Sequence, residues 1–305
     1  MKDIIIIGGG LAGLTAGLYA NRAGLDTLLF EKMFAGGQAA TTYMIENYPG
    51  FDEPISGPDF AMKVENQARR FGLQIQYDEI TSLKLDGKIK RVITEKEELE
   101  CKAVILAMGA EPKTLRLARE NDFRGRGVSY CATCDGAFYR DKDVAVVGGG
   151  ETAVEDALFL AQYVNKVYLI HRREEFRATK IASDRVKANK KVSILWNTVV
   201  DSILGEESID GIMVRNLKTK ETRDIKVDGI FVAIGIQPNT DLVKDVITMS
   251  ESGFILTDEE MKTNIPGVFA AGDVRHKSLW QLVTAAADGA VAAVTAQRYI
   301  MDSFG

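Results

Sequence analysis

Four isoleucines, Ile4 to Ile7, lead straight into the glycines Gly8 to Gly10, and the apolar run Val144 to Val147 leads likewise into Gly148 to Gly150. Segments 4–30 and 144–170 overlay without a gap, so the pattern is an internal repeat. Each copy predicts a strand buried on both faces, a glycine turn, a helix with apolar residues at helical spacing, and a second strand. A further pair matches: AVILAMGAEP at 103–112 and IFVAIGIQPN at 230–239 both read as buried strands that end in a glycine and then a proline. Each closes one unit.

Strands alternating with helices predict an α/β fold of two Rossmann-like, three-layer domains, the second inserted into the first. The first spans 1–112 and 243–305, the second 113–242. The returning segment GVFAAGDV, 267–274, brings a strand into Gly272 and Asp273, which places a carboxylate at the strand edge where such sheets bind ligands. A length of 305 residues accommodates two cores.

The first turn has Gly8, Gly10 and Gly13 in a Gly-x-Gly-x-x-Gly pattern; the second has Gly148, Gly150 and Ala153. The first glycine permits the tight turn, the second lets backbone approach a pyrophosphate, and the small third residue lets helix pack on strand. The helix N-terminus then receives the anion. Both units therefore predict dinucleotide binding. Glu31 ends the second strand of the first unit, where a carboxylate reaches a ribose hydroxyl. The equivalent place in the second unit holds His171, followed by Arg172 and Arg173, with Arg177 beyond. Guanidiniums clasp a 2′-phosphate that a carboxylate would repel, so the second unit is expected to take NADPH. A solvated basic segment balanced by Glu174 and Glu175 is the plainer reading.

Cys131 and Cys134 lie in YCATCDG, just before the second unit. Two intervening residues suit a disulfide that opens and closes, and a helix starting at Cys134 would lower a thiol pKa there. Asp135 stands ready to pass a proton to a leaving thiolate. Structural zinc would need ligands beyond this pair, with Cys101, His171 and His276 as the candidates, and two unrelated buried thiols are a second alternative. Cys101, at the head of an apolar strand, reads as inert core.

Charge and composition narrow the setting. A net charge of −5 sets nucleic acid aside as a partner. The run Ile4 to Ile7, cut by Gly8, is too short for a signal peptide or a membrane span, so a cytoplasmic protein without a membrane partner is expected. In that reducing setting, with three cysteines in the chain, a close pair is catalytic or metal-binding rather than a structural framework.

These motifs, with GGQ at 36–38, IENYPG at 45–50, GGGETAVEDALFL, HRREEFRA and QLVTAAADGAVAA, make the chain closely resemble the low-molecular-weight thioredoxin reductases over nearly its whole length. The resemblance implies a homodimeric flavoenzyme that passes electrons from NADPH through FAD to the cysteine pair and on to thioredoxin. It places FAD on Gly8, Gly10, Gly13, Glu31, Gly37, Gln38, Asn47, Asp273 and Gln281. NADPH falls to Gly150, Glu151, Thr152, His171, Arg172, Arg173 and Arg177, on the turn that Gly148 opens. Cys134 would lie next to the flavin, Cys131 would attack thioredoxin, Asp135 would donate the proton, and Phe138 would touch the protein substrate. The inserted domain would rotate on hinges near residues 112–116 and 240–244.

Two residues depart from the family pattern: Leu11 replaces a usual proline, and Trp280 replaces a usual arginine. The same scaffold could serve another donor such as ferredoxin, another acceptor such as a glutaredoxin-like protein, or a flavin-bound redox sensor. The His-Arg-Arg run argues for NADPH, and the intact Cys-x-x-Cys-Asp argues against a sensor.

Overall fold

The computed structural model describes residues 1–42 and 44–305. In chain order its α-helices are α1 (Leu11–Arg22), α2 (Gly57–Arg70), α3 (Ala132–Asp135), α4 (Glu151–Leu160), α5 (Lys180–Ala188) and α6 (Leu282–Phe304). The chain divides into two compact units: Met1–Glu111 with Gln237–Gly305, and Pro112–Ile236.

In the first unit, five parallel strands lie in the order Gln74–Tyr77, Thr27–Glu31, Lys2–Ile7, Glu98–Leu106 and Val268–Ala270. Isoleucines at consecutive positions satisfy both faces of the sheet because side chains alternate along a strand. Ile4 and Ile6 pack with Leu14 of α1 and Ala292 and Ala296 of α6, while Ile5 and Ile7 pack on the other side with Val92, Val243 and Ile255. That second face is covered by an antiparallel meander, Ile80–Lys84, Lys90–Thr94 and the start of Glu98–Leu106. Helices, sheet and meander make three layers.

The second unit repeats the plan. Its parallel sheet runs Val128–Ser129, Gly229–Ala233, Asp143–Gly148, Lys166–His171 and Val192–Trp196. Val144 and Val146 face the helical side with Val154, Ala157 and Leu160 of α4. Ala145 and Val147 face a three-stranded antiparallel sheet, Thr198–Leu204, Gly211–Asn216 and Thr222–Ile225. Each unit secures its own chain crossing: Asn239 N–H donates to Gly109 O at 3.0 Å in the first, and Lys113 N–H to Gly235 O at 2.9 Å in the second. Among the described residues no helix is long and apolar enough to cross a membrane.

Candidate active site

The first glycine turn admits no side chain at two points. A Cβ on Gly8, whose φ is +104°, would meet Ala107 O at 2.3 Å, and one on Gly13 would meet Gly8 O at 1.9 Å. Helix and strand therefore approach more closely than any other residue allows. Gly10 caps α1 without a capping side chain, so the first amides of the helix are left for a ligand. Glu31 is held beneath the turn: Gly9 N–H donates to Oε2 at 2.7 Å and Met33 N–H to Oε1 at 3.1 Å. The carboxylate keeps lone pairs for further donors. Gly37 opens a 3-10 turn that includes Gln38, and Gly36 N–H donates to Gly9 O at 2.7 Å, which brings this segment against the glycine turn.

Asn47, Gln281 and Asp273 come from other parts of the same unit. Asn47 Nδ2 donates to Gln281 Oε1 at 3.1 Å, and Gln281 caps α6 through a reciprocal capping box with Thr284. Asp273 sits in the 3-10 turn Gly272–Val274. Burial pushes its carboxyl above the usual range, against the pull of the Lys277 ammonium at 3.2 Å. Asp273 Oδ1 is closed to solvent and accepts no hydrogen bond. A dinucleotide fits this unit: an uncapped helix N-terminus for pyrophosphate, Glu31 for a ribose, and a buried acceptor awaiting a hydroxyl.

Sequence reasoning missed Asp288. Nine-tenths buried on α6, it accepts from Gly272 N–H at 3.1 Å and pairs with Arg275 and Lys277, each at 3.2 Å. It ties the Asp273 turn to the helix. An aspartate inside the alanine stripe AAADGAVAA was the available signal, because a buried carboxylate needs partners.

In the second unit a Cβ on Gly149 would lie 2.1 Å from the His171 ring, so the imidazole packs under the turn. His171 is buried, and its Nε2–H donates to Glu175 O at 2.9 Å. Burial lowers its pKa below the ordinary histidine value, and the nearby Arg173 and Arg177 charges add to this. The imidazole thus supports the turn from below, as Glu31 does in the first unit, and is wedged with Phe176 and Trp196. Arg177 N–H donates to Gly149 O at 2.7 Å. Glu151, first in α4, accepts from Thr179 N–H at 2.6 Å and Thr179 Oγ1 at 2.9 Å. These bonds fold the arginine segment back onto the glycine turn.

Arg172, Arg173 and Arg177 are exposed, as is Thr152. Glu174 pairs with Lys218 and not with an arginine. The charge-balanced reading of this segment therefore loses its nearest counter-ion. A Cβ on Gly150 would meet nothing within 4 Å, and Gly150 caps α4 without a side-chain bond, while Gly148 backs onto Ala153 and Ala233. An uncapped helix N-terminus beside three exposed guanidiniums fits a phosphorylated dinucleotide.

Cys131 and Cys134 are joined in a disulfide, with Cα atoms 5.3 Å apart. Both unrelated thiols and a zinc site at these sulfurs are thereby set aside. Helix α3 begins at Ala132, earlier than the Cys134 start expected: Asp135 N–H donates to Cys131 O at 3.1 Å, which makes Cys131 the capping residue. Ser129, another residue missed from the sequence, links the pair to its acid. Its hydroxyl donates to Asp135 Oδ2 at 2.6 Å and accepts from Cys131 N–H at 3.1 Å. Burial raises the Asp135 carboxyl above the usual range, although the Ser129 bond and the Arg124 charge pull it down. A carboxyl so placed holds its proton to higher pH and can release it to a thiolate. Phe138, beyond the pair, is exposed. Cys101 is fully buried, and burial pushes its thiol up to about 12, so it is unreactive.

The pyridine nucleotide-disulphide oxidoreductase family matches residues 2–290. Thioredoxin reductase of Peptoclostridium acidaminophilum is 45% identical over 308 residues, covering 99% of this chain and 98% of that one. Thioredoxin reductase of Listeria innocua is 46% identical over 304 residues, covering 98% and 93%. The crystal structure of thioredoxin reductase from Streptococcus pyogenes superposes with a TM-score of 0.95 at 44% identity and 99% coverage of both chains. Glycine turns, guanidinium patch and redox disulfide accordingly have one common explanation: the chain belongs to the pyridine nucleotide-disulphide oxidoreductases, in the branch of the low-molecular-weight thioredoxin reductases.

Proposed function

We propose that this protein is an NADPH-dependent thioredoxin-disulfide reductase whose Cys131–Cys134 pair is the last carrier before thioredoxin. FAD, when bound, relays two electrons from NADPH to the disulfide. In the first unit Gly8, Gly10, Gly13, Glu31, Gly37, Gln38, Asn47, Asp273 and Gln281 hold FAD. In the second, Gly148, Gly150, Glu151 and Thr152 seat NADPH, with Arg172, Arg173 and Arg177 on the 2′-phosphate. His171 acts there by fixing the turn.

Two electrons and two protons open the Cys131–Cys134 bond to two thiols. The Cys131 thiolate then attacks one sulfur of the thioredoxin disulfide, and the thiolate that leaves takes the proton held by Asp135. Cys134 attacks the mixed disulfide, which restores the Cys131–Cys134 bond and frees dithiol thioredoxin. The observation that carries this reading is the disulfide itself, set in a one-turn helix with an acid of raised pKa bonded to the same serine as its first cysteine.

Cys134→Ser, reduced and mixed with oxidised thioredoxin, is expected to trap a covalent complex through Cys131, while Cys131→Ser traps none. A trap formed through Cys134 alone would reverse the roles. NADPH bleaching the flavin no faster than NADH, or reduced ferredoxin doing so in its place, would overturn the donor. A glutaredoxin-like protein reduced in preference to thioredoxin would overturn the acceptor. The reading includes a cytoplasmic homodimer without nucleic-acid or membrane partners. Exposed Val283, Val294 and Met301 share one face of α6 and support a second copy. Sedimentation equilibrium of Val294→Glu should then show a shift to monomer.

A further inference from the structure

Among the described residues, two buried side-chain polar atoms have no hydrogen-bond partner: Asp273 Oδ1 and Trp280 Nε1. Both belong to the first unit, on the segment between strand Val268–Ala270 and helix α6. They are complementary, since a carboxylate oxygen accepts and an indole nitrogen only donates. A buried polar group left unmade is costly, so each calls for a partner. Lys277 meets the need at Asp273 only in part. Its ammonium is divided between Asp273 and Asp288 at 3.2 Å each and Thr284 Oγ1 at 3.3 Å, and it pulls the Asp273 carboxyl down without a well-aligned bond to Oδ1. Phe254, tilted against the Trp280 ring with centroids 5.2 Å apart, offers no acceptor for the indole edge.

The Trp280 ring is not free to look elsewhere. Phe254 holds one face, and the next residue, Gln281, is fixed by its capping box and by the bond from Asn47. A single ligand that carries hydroxyl donors next to ring acceptors would satisfy both orphans. FAD has them at one end only: ribitol hydroxyls followed by the carbonyl oxygens and ring nitrogens of the isoalloxazine. Its other end belongs at the glycine turn and Glu31.

We propose that Trp280 is a flavin-positioning residue, its indole N–H donating to an isoalloxazine carbonyl oxygen or ring nitrogen while Asp273 Oδ1 takes a ribitol hydroxyl. A neutral donor there replaces the arginine usual in the family, so the negative charge of reduced flavin gains less than a cation would give it. This rests on FAD being held by the first unit.

The test uses the two tryptophans of the chain, Trp196 and Trp280. An indole 15N–1H spectrum of the FAD-stripped protein has one signal from each, and Trp280→Phe assigns them. On reloading FAD, the Trp280 signal is expected to move downfield while that of Trp196, in the second unit, stays. Trp280→Phe keeps a ring against Phe254 and removes only the donor. It should bind FAD about tenfold more weakly and lower the flavin midpoint potential. Trp280→Arg should raise the potential above that of the unaltered holoenzyme. Flavin that binds while the Trp280 signal stays still, or a Trp280→Phe holoenzyme with unchanged FAD affinity, absorption bands and potential, would overturn the inference. Failure to bind FAD at all would sink the proposed function with it.

Discussion

Asp156 lies part-buried on α4, the helix whose N-terminus faces the proposed nucleotide site. Burial raises its carboxyl from 3.8 to about 7, and the Glu155 charge pushes the same way. With the folded value raised, the acid is protonated in both states below pH 3.8 and imposes no penalty. As pH rises towards 7 the unfolded chain releases the proton that the folded chain retains, so folding stability falls through that window and levels off above it. The displacement corresponds to about 4 kcal/mol, and partial solvation of the side chain reduces this to about 2–4 kcal/mol. Asp156→Asn removes the ionisation and keeps the shape. Urea denaturation of the holoenzyme, followed by far-UV circular dichroism from pH 4 to 8.5, should show variant and parent alike at pH 4. By pH 8 the variant should be the more stable by about 2–4 kcal/mol. A gap that does not change with pH, or a variant less stable at pH 8, refutes the reasoning.

Ser129→Ala takes from Asp135 a hydrogen bond that holds its pKa down. The alkaline limb of single-turnover disulfide exchange should therefore move to higher pH, and an unshifted profile would separate Asp135 from the proton transfer. Losing the Ser129 bonds to Asp135 and to the Cys131 amide should also cost about 1–3 kcal/mol of stability. Arg172→Ala combined with Arg173→Ala should raise the KM for NADPH by about 10–100-fold, from lost charge-assisted hydrogen bonds. The KM for NADH should barely move, and equal losses for both nucleotides would remove the 2′-phosphate clasp. After anaerobic reduction, iodoacetamide at pH 8 should modify Cys131 and Cys134 and spare Cys101, which mass spectrometry of the peptides would show.

The backbone plan was legible because parallel strands need apolar residues on both faces. Ile4 to Ile7 and Val144 to Val147 could hardly be anything else, and the glycines after them mark where chain must pass chain. Side-chain direction was not legible. His171 occupies the offset at which Glu31 stands in the first unit and lies under Gly149 as Glu31 lies under Gly9, but its bond to Glu175 O and its wedge of Phe176 and Trp196 had no signal in the sequence. Glu151 turns to Thr179, and Asp288 turns to two cations and an amide; these partners lie 11–28 residues away in sequence and meet only once the fold is formed. Ser129 carries no motif. Its role follows from the turn at Cys131, which sets a hydroxyl between an amide and a carboxyl.

The central claim is that one flavin and one dithiol exchange electrons within this chain. Anaerobic NADPH titration of the holoenzyme tests it most directly, followed at the flavin absorption band, with the Cys131→Ser, Cys134→Ser double variant alongside. The protein should consume about two equivalents of NADPH per flavin, one for FAD and one for the two-electron disulfide couple, whereas the variant should need about one. Equal consumption by both would contradict the account.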